Sequence, residues 1–137
     1  QLFHPGGKLG QRFLRVEDLM HEAKELPLVS ESAPMRDVLL VMTNKRFGCA
    51  GVLDAENRLI GIITDGDLRR HMSQTLLDLP AHEVMTKSPV TIRPSALAAE
   101  ALGIMNQKTI TALFVCDQHQ HPVGILHIHD CLRAGVA

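Results

Sequence analysis

Two aspartates set the chemistry this chain can do. Asp67 and Asp130 lie 63 residues apart, and each is followed three residues later by an arginine, Arg70 or Arg133. An ionised carboxylate only accepts hydrogen bonds, and a guanidinium only donates them. Arg69, Arg70 and Arg133 can therefore supply charge-assisted bonds to an anionic ligand, or they can simply neutralise helix ends. Ahead of the second aspartate stand His127 and His129. Two imidazoles at i and i+2 can donate to a phosphate or carboxylate, and from an ordinary pKa near 6.5 a modest environment can charge them. The alternatives are packed or solvated histidines, or a metal site shared with His119 or His121. The metal reading is the weaker, because no cysteine or carboxylate completes a familiar ligand spacing.

Positioning these groups is the task of a repeat. Laid over itself at an offset of 63, the segment from Ser32 to Arg70 covers Ser95 to Arg133. The identities are Ser32/Ser95, Ala33/Ala96, Leu39/Leu102, Met42/Met105, Lys45/Lys108, Val52/Val115, Asp54/Asp117, Gly61/Gly124, Ile62/Ile125, Asp67/Asp130 and Arg70/Arg133. Internal self-similarity of this kind means one supersecondary unit used twice. Upstream the offset becomes 65, where Val16 to Met20 matches Ala81 to Met85.

Each copy reads as strand, helix, strand, strand, helix. The first helix is expected to open at an N-cap serine, Ser32 or Ser95. Val38, Leu39 and Met42 then share one helical face, as do Ala101, Leu102 and Met105. Two apolar strands follow, over 50–53 and 59–63 in the first copy and over 112–116 and 123–126 in the second. Turn-prone residues 54–58 and 117–122 make each pair a hairpin. A last helix begins near Asp65 and near Ile128, and a linker over about 71–80 joins the copies. One half alone leaves an apolar sheet face bare, so an α+β fold is expected in which two halves pack about a pseudo-twofold axis.

Composition excludes several functions. The chain has 137 residues, 45% hydrophobic, with no Trp or Tyr, four Phe and a net charge of −1. Base stacking on aromatics and a basic phosphate-tracking surface are both absent, so nucleic acid is not the expected partner. The apolar runs are too short and interrupted for a membrane span, and no signal-peptide pattern opens the sequence; a cytoplasmic protein without a membrane partner is expected. Cys49, Cys116 and Cys131 are odd in number and widely spaced, which predicts small buried hydrophobes rather than disulfides or structural zinc. The methionines Met20, Met42, Met85 and Met105 fall at core positions.

The block from Gly61 to Leu68 and its counterpart from Gly124 to Cys131 resemble the strand-to-helix signature that ends each CBS motif. With the Leu19-Met20 and Val84-Met85 starts, the resemblance covers about residues 16 to 134. The flanks narrow it: Phe3 to Gly10 resembles the last catalytic-domain segment of the KpsF/GutQ sugar isomerases, and His127 to Gly135 is similar to that family's C-terminus. The division this implies is 1–12 as the end of an SIS (sugar isomerase) domain, 13–74 as CBS motif 1 and 75–137 as CBS motif 2.

In that family the SIS domain interconverts ribulose 5-phosphate and arabinose 5-phosphate, feeding synthesis of the lipopolysaccharide sugar Kdo. His4 matches the family's active-site histidine before Pro-Gly-Gly. The remaining acid/base groups and the phosphate loop would lie upstream of Gln1, so catalysis is expected of the full-length enzyme and not of this chain alone. The resemblance also implies a nucleotide-holding cleft with no required cofactor. Asp67 and Asp130 would accept hydrogen bonds from ribose hydroxyls, and Thr64 would place its hydroxyl and nearby N–H groups toward a phosphate. The same residues, Asp65 included, would otherwise serve only as helix caps.

Thr86, Lys87, Thr109 and Thr111 lie where clefts of the resembled family are lined. His127 departs from the Thr or Ser usual at its place. Pathway logic suggests the product CMP-Kdo as a feedback ligand, with AMP or ATP as the general expectation of the family. An element that only oligomerises, a homodimer through the CBS pair and a tetramer in the full enzyme, is the alternative. The other expected partner is the chain's own SIS domain.

Overall fold

In a computed structural model, residues 13–137 are described. In chain order the elements are helix α1 (Val16–Leu19), strand β1 (Leu28–Ser30), α2 (Met35–Lys45), β2 (Cys49–Leu53), β3 (Leu59–Thr64), α3 (Asp65–Arg70), α4 (Ala81–Val84) and β4 (Thr86–Lys87). There follow β5 (Thr91–Ile92), α5 (Ala98–Lys108), β6 (Ala112–Cys116), β7 (Pro122–His127) and α6 (Ile128–Arg133). The strand-helix-strand-strand-helix order read from the repeat is present twice, and strand ends agree with the expected ones to within a residue. Among the described residues no helix is long and apolar enough to cross a membrane.

The chain forms two compact units, and these are not the sequence repeats. One contains residues 24–90 with 119–121; the other contains residues 13–23 with 91–118 and 122–137. We call them the Asp67 unit and the Asp130 unit. Each repeat thus has its leading segment packed in the other repeat's unit.

In the Asp67 unit the sheet runs β1-β2-β3-β4, with β1 parallel to β2 and the other pairs antiparallel. In the Asp130 unit it runs β5-β6-β7, again parallel then antiparallel, and His21 adds a bridge to Ile125 on the outer edge of β7. Parallel pairing requires a crossover, which α2 and α5 supply.

Apolar periodicity decides what these helices bury. Val38 and Met42, with Met35, close over Val52, Ile63 and Val84; Leu102 and Met105, with Ala98 and Ala101, close over Val115, Leu126 and Cys131. Val38, Val52, Ile63, Val84, Ala101, Val115 and Leu126 have no exposed surface. Each such Val, Leu or Ile side chain contributes about 1.5–3 kcal/mol of transfer free energy, which is what holds helices this short in place. The three cysteines are buried, as expected. Burial pushes the thiol of Cys49 up to about 12; it also pushes those of Cys116 and Cys131 up to about 11, helped by Asp117 and Asp130 respectively.

The serine caps are not found. Helices α2 and α5 start three residues beyond Ser32 and Ser95, with Pro34 and Leu97 at the N-cap and no side-chain cap. The orphan N–H groups are met instead by backbone from the exchanged segment. Met35 N–H donates to the Leu79 carbonyl and Ala98 N–H to the Leu14 carbonyl, both at 2.8 Å. In return Ala81 N–H reaches Ala33 O and Val16 N–H reaches Ala96 O, at 2.8 and 2.9 Å. Residues 79–87 and 13–23 therefore act as straps, one in each unit, fastened by matched hydrogen bonds.

Each strap also carries a methionine over a glycine. A Cβ built on Gly61 would lie 2.3 Å from Met85 Sδ, and one on Gly124 would lie 2.4 Å from Met20 Sδ. Only a residue without Cβ lets the thioether lie flat on the strand.

Candidate functional site

In the Asp67 unit, β3 delivers the chain to Thr64 in extended geometry and α3 begins at the next residue. Asp67 is third in that helix, so its carboxylate folds back over the helix start. Its Oδ2 accepts from Thr64 N–H at 2.9 Å and from the Thr64 hydroxyl at 3.2 Å. Its Oδ1 accepts from Arg70 Nη2 at 2.7 Å and from the Thr86 hydroxyl, on the strap, at 2.6 Å. The residue is 2% exposed. Burial alone raises its pKa, but the bonds from Thr86, Thr64 and Arg70 together outweigh it and hold the carboxyl below its usual range.

In the Asp130 unit the same construction recurs with different side chains. Asp130 Oδ2 accepts from His127 N–H at 2.9 Å, and Oδ1 accepts from Arg133 Nη2 at 2.7 Å. In place of Thr86 the strap offers His21, whose Nε2 lies 3.0 Å from Oδ1 and 3.1 Å from Oδ2. In place of Thr64 stands His127, whose Nδ1 accepts the His129 N–H at 3.1 Å.

That bond requires a neutral Nδ1. Burial, then the neighbouring His129, lowers the pKa of His127, with Arg133 and His21 acting the same way and Asp130 opposing. Burial and the neighbouring groups thus favour the neutral form of His127, the form whose Nδ1 can accept the His129 N–H. The rings of His127 and His129 are 4.7 Å apart.

The fold thus gathers Thr64, Asp67, Arg70 and Thr86 in one unit, with Lys87 next to Thr86 on β4. It gathers His127, His129, Asp130 and Arg133 in the other. Arg70 and Arg133 fold back onto their own aspartates, as helix-neutralising residues do. Arg69 is exposed in the last turn of α3. Thr109 is exposed and closes α5 in left-handed geometry at φ 55°, a rare conformation for a β-branched residue. The Thr111 carbonyl accepts the Ile128 N–H at 2.8 Å, tying the start of α6 to the start of β6. His119 and His121 have ring centroids 6.3 Å apart, and among the described residues no group of three or more His, Cys, Asp or Glu could hold a metal ion. His4 lies outside the described residues.

Sequence reasoning missed His21. The signal was present: the upstream offset of 65 places His21 on Thr86, which was already a candidate.

Comparison with known proteins agrees with this construction. The CBS domain family model matches residues 16–74 and 81–137. The chain is 45% identical over 138 aligned positions to the arabinose 5-phosphate isomerase KdsD of Escherichia coli strain K12, covering 98% of this chain and 42% of that protein. It is 40% identical to an uncharacterized protein of Rickettsia prowazekii, covering all of this chain and 43% of that one. The chain therefore spans less than half the length of these curated relatives. Among solved structures, CBSX2 in complex with AMP superposes with a TM-score of 0.76 at 26% identity, covering 89% of this chain and 96% of that one. With two matched motifs and the fold that goes with them, the chain belongs to the CBS domain family and is a tandem CBS pair.

Proposed function

We propose that this CBS pair is the regulatory part of an arabinose-5-phosphate isomerase and that it senses an anionic nucleotide. The observation that carries the reading is the doubled acceptor. Two buried carboxylates stand at the start of the last helix of their sequence repeats, each held in place by a backbone N–H and an i+3 arginine. A ribose diol presents two O–H donors, and a fixed carboxylate offers two oxygens at matching spacing. The identity to the Escherichia coli isomerase supports the attachment to an SIS domain and a role in Kdo synthesis.

The AMP held by CBSX2 favours an adenine nucleotide as the first ligand to try. CMP-Kdo has the same ribose diol, and its carboxylate and phosphate suit the cations Arg69 and Lys87 of the Asp67 unit or, in the Asp130 unit, the imidazole of His127. The division into 1–12, 13–74 and 75–137 is kept as a division of sequence, to which Thr64, Thr86, Thr109, Thr111 and His129 contribute ligand-side positions.

Thermal denaturation with AMP, ATP, CMP and CMP-Kdo in turn tests the reading, because a ligand that binds only the folded state raises stability by about 2.7 kcal/mol at a hundred times its Kd. The expected result is a raised midpoint with one nucleotide, abolished in the double variant Asp67→Asn, Asp130→Asn. No shift with any of the four at millimolar concentration would sink the sensing reading. A second reading, assembly without ligand, is favoured by Leu40 and Leu132, 62% and 56% exposed on α2 and α6. Light scattering that gives a dimer in both the native chain and the double variant, together with no nucleotide response, would establish it.

A further inference from the structure

The two straps end on unlike side chains at matched positions. Thr86 is exposed, its backbone is paired with Ile62 on β3, and its side chain meets Asp67 through one hydroxyl on Oδ1. Rotation about a single bond withdraws it and frees a lone pair for an incoming O–H. His21 is different. Its Nε2 stands within hydrogen-bond distance of both oxygens of Asp130, and its side chain is 29% exposed. Its backbone is paired in both directions with Ile125, N–H to O at 2.9 Å and O to N–H at 3.0 Å. Next to it in the strap Met20 lies over Gly124, as Met85 lies over Gly61 next to Thr86, so what sets His21 apart is the ring's reach to both carboxylate oxygens.

We propose that His21 is the gate of the Asp130 carboxylate: it occupies the position a diol would take, so that a ligand enters only by displacing the ring and loosening the strap over residues 13–23. This inference rests on the ligand-sensing reading. It makes the sites unequal. Asp67 is the ready site, opened by a hydroxyl rotation. Asp130 is the gated site, and its occupation is felt in the segment that directly follows residues 1–12, where the sequence resembles the end of the isomerase domain. The two sites then divide the labour between holding a ligand and reporting it.

The protein supplies its own test, because threonine is what the other unit uses at the same place. Calorimetric titration with AMP as probe is done on the native chain, on His21→Thr and on Thr86→His. The native chain is expected to show one stronger and one weaker site. His21→Thr should tighten the weaker by tenfold or more, and Thr86→His should weaken the stronger by a similar factor.

Hydrogen exchange gives a second readout: saturating AMP should speed exchange of the Ile125 amide about tenfold in the native chain and leave it unchanged in His21→Thr. If AMP binds the native chain and His21→Thr alike and Ile125 exchange does not respond, the gate is overturned while sensing stands. If neither AMP nor any of ATP, CMP and CMP-Kdo binds any of the three proteins, the sensing reading and the gate fall together.

Discussion

The Asp67 and Asp130 units solve one problem with two sets of side chains. Backbone solutions are duplicated nearly bond for bond: strap carbonyls cap α2 and α5, and a methionine lies on a glycine in each. Side-chain solutions diverge at two places, where Thr64 and Thr86 in one unit are replaced by His127 and His21 in the other. What folds the unit has been kept, and what would touch a ligand has been varied. The duplicated carboxylate is therefore scaffold and acceptor together, whereas the groups around it set each site's character.

The comparison breaks most visibly if the carboxylates are removed. Asp67→Ala leaves Thr64 N–H, Arg70 and Thr86 without their acceptor, and Asp130→Ala does the same to His127 N–H, Arg133 and His21. Each is expected to lower stability by about 2–3 kcal/mol, read as the urea midpoint at constant m-value. A loss under about 0.5 kcal/mol in either would show that the capping geometry contributes little.

Next in size are the glycines. In Gly61→Ala the three atoms nearest the new methyl all belong to the Met85 side chain, and about 1 kcal/mol is expected. In Gly124→Ala it also meets the His21 carbonyl at 3.1 Å, which is fixed by its bond to Ile125 N–H, so about 2 kcal/mol is expected. Equal losses would mean the two straps are held equally.

Thr86→Val removes a single hydroxyl donor to a charged acceptor and is expected to cost about 1 kcal/mol.

The smallest effect is in the pH profile. Asp67 has a lowered folded-state pKa, so its contribution is present above the unfolded value near 3.9 and is lost as pH falls through the lower folded value. His127 is also lowered, so the folded state favours its neutral form. That contribution is full above about 6.5 and declines as pH falls from there through the folded value. Denaturation midpoints between pH 7 and pH 5 should therefore fall a little more in the native chain than in His127→Gln, while the deficit of Asp67→Asn relative to native is full above about pH 4 and narrows as pH falls below it. A native profile that matches His127→Gln across that window would remove the electrostatic distinction between the units.

Much of this was legible in the sequence because the repeat is a physical signal. A residue pattern that recurs at 63 must serve the same packing twice, and the hairpins, the last helices and the buried faces of α2 and α5 followed from it. The helix starts did not, because Ser32 and Ser95 look like caps only while the partner of the first N–H is sought nearby. The actual partners, Leu79 and Leu14, are distant in sequence, and local propensity carries no trace of them. The repeat singled out Asp67 and Asp130, but their internal partners were legible only in part. Arg70 and Arg133 sit at helical spacing from them, whereas Thr86 and His21 come from straps whose exchange no local pattern announces.

That exchange also fixes an order of events during synthesis. The Asp67 unit is almost a contiguous stretch, 24–90, and can close on itself once those residues have emerged. The segment 13–23 is made before the Asp67 unit but finds its carbonyl and carboxylate partners only in 91–137, so a stretch made earlier is fastened later. Any domain joined ahead of it would be complete, and could begin to work, before the segment linking it to the Asp130 unit has found its seat. Pulse-labelled hydrogen exchange on refolding should accordingly protect the Val52 and Ile63 amides before that of Val16.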